Sequence, residues 1–286
     1  MTDAFVSSSA SLPASASPLM QDMAHAAYLA GEALVGCAKD RSALTLQEKT
    51  AGDFVSSADL KSEAIIADWL KTCYPDFGWV GEETGAQITG FDEPYWVVDP
   101  LDGTSNFLKG LPHWAVSIAL CKGDAPIAAI VYDPVKEELF STERECGAFL
   151  NGVRIWVNSD ISLSTAILAT GVPAGGRVTY LSDCLMDLEQ LMPKSAGIRR
   201  WGAAALDLAY VAAGRLDAYW ERNLGPWDIA AGWLLVQEAG GCVEPLWSGE
   251  PILKSGSFLA GDAALLRQIH PYLTPKHSRH EVKCSL

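Results

Sequence analysis

Residues 96–107 read Trp-Val-Val-Asp-Pro-Leu-Asp-Gly-Thr-Ser-Asn-Phe. An apolar strand runs here into two carboxylates, Asp99 and Asp102, which are followed at once by Gly103 and Thr104. Proline fixes φ and removes a backbone donor, so the strand is predicted to stop at Pro100. The chain then turns a strand-to-helix corner at which both acids and the Leu101 carbonyl can converge on one cation. Gly103 lets the backbone approach a ligand, and the N–H groups at a helix start suit an anion. Hard oxygen donors beside an anion cradle are what magnesium-dependent phosphate chemistry requires. Asp-Pro and Asp-Gly are also ordinary turn dipeptides, so this segment alone admits a plain turn.

Three other segments place acids at comparable positions. Gly81-Glu82-Glu83-Thr84 follows the apolar stretch 77–80 and ends a second strand in carboxylates. Pro226-Trp227-Asp228 opens an apolar helix over 229–238, with Asp228 in its first turn. Upstream, Asp53-Phe54-Val55-Ser56-Ser57-Ala58-Asp59 sets two acids and two hydroxyls before a helix. Each has a structural explanation when taken singly. An acid in a first helical turn offsets the helix dipole, which would account for Asp228, and Asp59 reads equally as a solvated first turn. Their combination with the 96–107 segment favours a site.

Together these blocks resemble the inositol monophosphatase family, within the wider group of lithium-sensitive, magnesium-dependent phosphatases. The resemblance runs from about Ala24 to Leu273. It continues in Arg199-Arg200-Trp201-Gly202-Ala203-Ala204-Ala205-Leu206-Asp207-Leu208 and in Asp217-Ala218-Tyr219-Trp220-Glu221. It implies a five-layer α-β-α-β-α sandwich with two or three magnesium ions between its halves. It assigns Glu82, Asp99 and the Leu101 carbonyl to a first metal, and Asp99, Asp102 and Asp228 to a second. Glu82, with waters held by Asp59, would complete a third, weaker site. Leu101 replaces the more usual isoleucine, which matters little for a backbone ligand.

The same resemblance implies that Thr104, hydrogen-bonded toward Asp53, orients the attacking water together with Glu82. The Gly103 and Thr104 amides would hold phosphate oxygens, and Asp102, Gly202, Ala204, Glu221 and Asp228 would complete the substrate contacts. Lys49 lies where the family often has a basic residue, but a surface lysine is an equally open reading. Glu221 aligns with the family acid that accepts hydrogen bonds from inositol hydroxyls, favouring a polyol monophosphate over a bisphosphate. The expected reaction is hydrolysis of myo-inositol 1-phosphate. Histidinol phosphate and fructose 1,6-bisphosphate remain open as substrates, as does a regulatory protein of this fold that binds transcription machinery.

A formal charge of -14 disfavours nonspecific nucleic-acid binding, because phosphate backbones attract basic surfaces. An acidic protein acting on phosphate esters needs cations to bring its substrate in. The seven cysteines are scattered and contain no Cys-x-x-Cys pair, so neither a zinc knuckle nor a disulfide framework is suggested. No apolar run reaches the ~18 residues of a membrane span, and the first 16 residues lack basic residues and hence a signal or transit pattern. Residues 1–16 are read as a disordered leader and the cytoplasm as the compartment.

Ser17-Pro18 predicts a helix start, and a second helix is expected over 57–73. Strands are expected near 77–81 and 95–99. The runs 114–122 and 126–132 read as a hairpin around Gly123-Asp124, extended by 138–142 and 149–157. Strands at 165–169, 216–220 and 258–261 alternate with helices at 178–192, 203–213, 227–239 and 262–272, a pattern of packed α and β layers. A boundary near 157–164 divides an N-terminal half, 17–157, from a C-terminal half, 158–286. The apolar segments 114–132 and 167–173 suggest surface that a homodimer would cover.

Overall fold

Ser17 caps the first helix, its hydroxyl accepting from Met20 N at 3.2 Å, and Pro18 occupies the first helical position. The structure, a computed structural model, describes residues 11–50, 53–88, 90, 92–173, 179–247 and 249–274; the side chains of residues 47–50 and 53–54 lie outside that description. Helix α1 (Pro18–Lys39) is followed by the antiparallel pair β1 (Leu46–Thr50) and β2 (Asp53–Ser56), then α2 (Ser57–Cys73). The bounds of α2 agree with the sequence reading because Ser56 caps it and an apolar stripe continues to Leu70.

The chain then builds one large sheet from β3 (Gly78–Gly81), β4 (Gly85–Gln87) and β5 (Tyr95–Asp102). After the short helix α3 (Thr104–Lys109) come β6 (Ala115–Lys122), β7 (Ala125–Asp133), β8 (Glu138–Glu143), β9 (Gly147–Leu150) and β10 (Val153–Arg154). Their order is β10-β9-β8-β7-β6-β5-β3-β4, antiparallel throughout except for the parallel pair β3/β5. A second, five-stranded mixed sheet follows. It interleaves β11 (Ile167–Thr170), α4 (Leu181–Leu191), β12 (Gly197–Arg199), α5 (Ala204–Ala212), β13 (Ala218–Glu221) and α6 (Pro226–Glu238). It ends with β14 (Cys242–Pro245), α7 (Ile252–Ser255), β15 (Phe258–Gly261) and α8 (Ala263–Ile269), in strand order β12-β11-β13-β15-β14.

Strand alternation sorts the core into three apolar clusters and so defines the layers. Trp96 and Val98 of β5 face Met23 and Leu34 of α1 and Ile66 of α2. Val97, on the opposite face, joins Leu206 of α5 and Ile229 and Leu235 of α6, together with Tyr219 of β13. Trp220 faces the other way, toward Leu191 of α4 and Leu265 of α8. The result is the five-layer α-β-α-β-α sandwich. Helices α5 and α6 are common to both sheets: the expected boundary falls between β10 and β11, but the middle layer belongs to both halves.

Four sequence expectations are corrected. Pro100 does not stop β5: the strand continues to Asp102, with Asp99 opposite Ser117 and Asp102 opposite Ala115, one residue more on β5 than on β6. Such a bulge is where a strand tolerates proline. The runs 114–132 and 167–173 are not exposed apolar surface, because their strands lie between helical layers; Trp114, Ile118, Ile130 and Leu168 are all buried. Residues 11–16 of the expected leader sit against the body, with Leu12 and Ala16 packed on the first cluster and Ser11 Oγ donating to Asn151 O at 3.3 Å; residues 1–10 lie outside the described residues. The helix expected over 262–272 ends at Ile269, and a single tighter turn containing Pro271 follows.

Among the described residues no helix is long and apolar enough to cross a membrane. Six cysteines are free, of which Cys121 and Cys184 are buried and Cys73 and Cys146 exposed, while Cys284 lies outside the described residues.

Candidate metal centre and active site

The bulge in β5 turns its acids toward the middle of the sandwich. Asp99 Oδ1 accepts from Leu101 N at 2.9 Å, which folds the corner back on itself. Asp102 is gripped from the other half: the first amides of α5, Ala204 N and Ala205 N, donate to its two carboxylate oxygens at 3.1 and 2.8 Å. Asp228, the third residue of α6, accepts from Gly225 N at 2.7 Å and so closes its own helix start. Each of Asp99, Asp102 and Asp228 offers an oxygen within 4.8 Å of those of the other two. Glu82 follows β3, where its amide donates to Val98 O at 3.1 Å, and lines the same cavity.

This proximity is electrostatically unfavourable without a cation. Burial, and then the charges of Glu82, Asp102 and Asp228, hold the Asp99 carboxyl well above its ordinary range. Burial, followed by Asp102 and Glu82, does the same to Asp228. Burial pushes Asp102 up to about 7, against the lowering effect of the α5 amides. Converging carboxylates with a neighbouring backbone carbonyl form an all-oxygen donor set, suited to a hard divalent ion such as magnesium. The residues fit the group that the sequence implies.

Thr104 opens α3 beside this cluster. Its hydroxyl lies 2.9 Å from Asp59 Oδ1 and 3.1 Å from Leu101 O, and donates to Asp59. The sequence reading names Asp53, whose side chain lies outside the described residues; among the described residues the carboxylate partner is Asp59, which points inward from the first turn of α2. Asp59 Oδ2 also accepts from Ser56 N at 2.9 Å and Ser56 Oγ at 2.6 Å. Burial raises its pKa despite these hydrogen bonds. Lys49 likewise has its side chain outside the described residues.

The acids line a cavity of about 580 Å³ together with Gly103, Thr104, Gly202, Val172, Tyr180 and Arg222. Glu221, the last residue of β13, lines it too; Tyr219 Oη donates to its carboxylate, which lies close over Gly171. Gly202 takes φ +78°, a left-handed conformation that favours glycine. Ala204, expected to contact substrate, gives its amide to Asp102. His113 is half-buried against Trp201 and Tyr210. Burial and then the Lys136 charge lower it to about 4, and it is not among the residues that line the cavity.

Sequence reasoning missed three contributors. Arg200 lines the cavity. Ser62 Oγ donates to Pro100 O at 2.8 Å and pins the bulge. Asn106 Nδ2 donates to His113 O and Trp201 O, both at 2.8 Å, tying α3 to both halves. The available signal was helical spacing: Ser62 stands three residues after Asp59 and shares its face of α2.

Comparison with known proteins agrees with this geometry. A family model described as the inositol monophosphatase family matches residues 17–281. The inositol-1-monophosphatase of Rhizobium meliloti (strain 1021) is 44% identical over 257 residues, covering 88% of this chain and 96% of that protein. The Nus factor SuhB of Pseudomonas aeruginosa is 43% identical over 270 residues, covering 92% and 99%. The crystal structure of the extragenic suppressor protein suhB from Bartonella henselae superposes with a TM-score of 0.86 at 41% identity, covering 90% of this chain and 99% of that one.

Proposed function

The chain belongs to the inositol monophosphatase family, and from that premise we propose that it is a magnesium-dependent phosphatase acting on a polyol phosphate monoester, myo-inositol 1-phosphate in the first instance. The observation that carries this reading is the convergence of Asp99, Asp102 and Asp228 within 4.8 Å in a cavity that Glu221 also lines.

Glu82, Asp99, Asp102, Asp228 and the Leu101 carbonyl hold magnesium in this reading. When bound, magnesium supplies charge that activates water and stabilises the phosphoryl group and its leaving oxygen. The Gly103 and Thr104 amides receive phosphate oxygens at the start of α3. Thr104 Oγ1, its proton directed to Asp59, accepts from the attacking water, and Asp59 takes up the proton that Thr104 passes on. Glu82, which lines the same cavity, orients that water together with Thr104. Glu221, fixed by Tyr219, accepts from vicinal hydroxyls of the alcohol and repels a second phosphate there. Lithium inhibition and a two-fold homodimer belong to this proposal on family grounds.

A second reading is favoured by the 43% identity to the Nus factor SuhB of Pseudomonas aeruginosa, whose name points to transcription. In that reading the chain is a regulatory protein that binds transcription machinery. The complete acidic cluster weighs against a role in binding alone. Release of inorganic phosphate from a panel containing inositol 1-phosphate, histidinol phosphate and fructose 1,6-bisphosphate separates the readings. Hydrolysis confined to the first supports the proposal, and no hydrolysis of any ester overturns it.

A further inference from the structure

Helix α2 buries three polar side chains, Asp59, Ser62 and Glu63, none more than 2% exposed. Their spacing puts them on one face of the helix. A polar group is buried at a cost unless it is hydrogen-bonded, and each of these is bonded to a different segment of the metal centre. Asp59 holds Thr104 and Ser62 holds the Pro100 carbonyl. The Glu63 carboxylate accepts from Glu83 N at 2.9 Å and from Thr84 N at 3.1 Å, and Thr84 Oγ1 also donates to it.

The segment Glu63 holds is the three-residue turn 82–84 between β3 and β4, closed by Gly85 at φ +73°. Trp79 Nε1 donates to Thr84 Oγ1 at 3.1 Å from the preceding strand. Gly81 is needed for the approach: a Cβ there would run into the Glu63 carboxylate and the Trp79 ring. The turn therefore receives a buried carboxylate from a separate helix, which takes up two consecutive amides and one hydroxyl. Glu82 is the residue immediately before those amides.

We infer that Glu63 is a positioning residue for Glu82, and that the buried polar face of α2 sets the distance between the Glu82 arm and the Asp99–Asp102 arm of the metal centre. The inference rests on the reading of Glu82 as a metal ligand. Groups that orient a metal's ligands typically affect metal affinity 10- to 100-fold when removed, without touching the ion themselves. Glu63→Gln preserves size but turns an N–H2 toward donors and leaves a single acceptor oxygen.

The test is direct binding of Mn²⁺ to metal-stripped protein, followed by electron paramagnetic resonance, alongside thermal melts in chelator. Glu63→Gln is expected to raise the Mn²⁺ dissociation constant by about 10- to 100-fold. Thr84→Val, which removes the hydroxyl that donates to Glu63 and accepts from Trp79 Nε1 but leaves both amides on the carboxylate, should raise it by a smaller factor. Leu266→Ala, buried under the far face of the five-stranded sheet, should lower the melting temperature and leave Mn²⁺ binding as in the parent chain. Should Glu63→Gln fail to fold, Thr84→Val decides. Mn²⁺ affinities within about twofold of the parent in the folded variants would overturn the inference. A parent chain that binds Mn²⁺ but releases no phosphate would defeat the phosphatase reading and leave this measurement intact.

Discussion

Thr104 Oγ1 donates to Asp59 Oδ1 at 2.9 Å, joining the start of α3 to the first turn of α2 across 45 residues of sequence. With its proton so directed, the hydroxyl has lone pairs left for a water in the cavity. Thr104→Val and Asp59→Asn should each lower kcat for phosphate release by at least ~100-fold, the lower end for general acid–base catalysis. The double variant should be little worse than either single one, because the two residues act as a unit. Steady-state kinetics of all three variants checks this; additive losses would show that the pair does not act together.

The Glu221 carboxylate, fixed by Tyr219, tests the choice of alcohol. Glu221→Gln should raise KM for inositol 1-phosphate by an amount equivalent to about 1.5–3 kcal/mol, that of hydrogen bonds to a charged group. Glycerol 2-phosphate should be less affected, and Tyr219→Phe should shift specificity in the same direction by less. Equal losses on both esters would show that Glu221 supports only the fold or the metals.

How far the sequence disclosed this arrangement depends on the kind of residue. The acids at 82, 102 and 228 were legible because each lies at a strand end or a helix start, positions fixed by local chemistry, and Asp99 because an Asp-Pro follows an apolar strand, although that strand runs on to Asp102. Helix α2 was legible in its bounds but not in its buried face: the spacing of Leu60, Ala64, Ile65 and Trp69 suggests one side, whereas Leu60 is exposed and the buried side carries Asp59, Ser62, Glu63, Ile66 and Leu70. That Asp59 reaches Thr104 was not legible, since it depends on which side chains the tertiary fold turns toward that hydroxyl. Strands β4, β12 and β14 escaped because three or four residues at a sheet edge carry no readable alternation. The run 114–132 misled for the opposite reason: strands covered by helices on both faces are apolar at every position, and such a run reads as an exposed patch.

The acid cluster gives metal-free protein a particular dependence on pH. A carboxyl raised from 3.8 to about 7, as Asp102 is, contributes stability that is full below the unfolded value and lost as pH rises through about 7. His113, lowered from 6.5 to about 4, has the opposite sign: its stabilising neutral form is lost as pH falls across that window. Comparing the parent chain with Asp102→Asn cancels the His113 contribution. In chelator, the melting temperature of Asp102→Asn should rise relative to the parent between pH 5 and pH 8. Magnesium should stabilise the parent more at the higher pH, since metal ligands must be deprotonated. A difference between the two proteins that is constant with pH would contradict the cluster's strain.

The most direct measurement is phosphate release from myo-inositol 1-phosphate by metal-stripped protein titrated with magnesium, with Asp102→Asn measured alongside. The expected result is no release in chelator, recovery with magnesium, and at least ~100-fold slower release by the folded variant, equivalent to about 2.7 kcal/mol of barrier. Full activity in chelator, or an unimpaired Asp102→Asn, would contradict it.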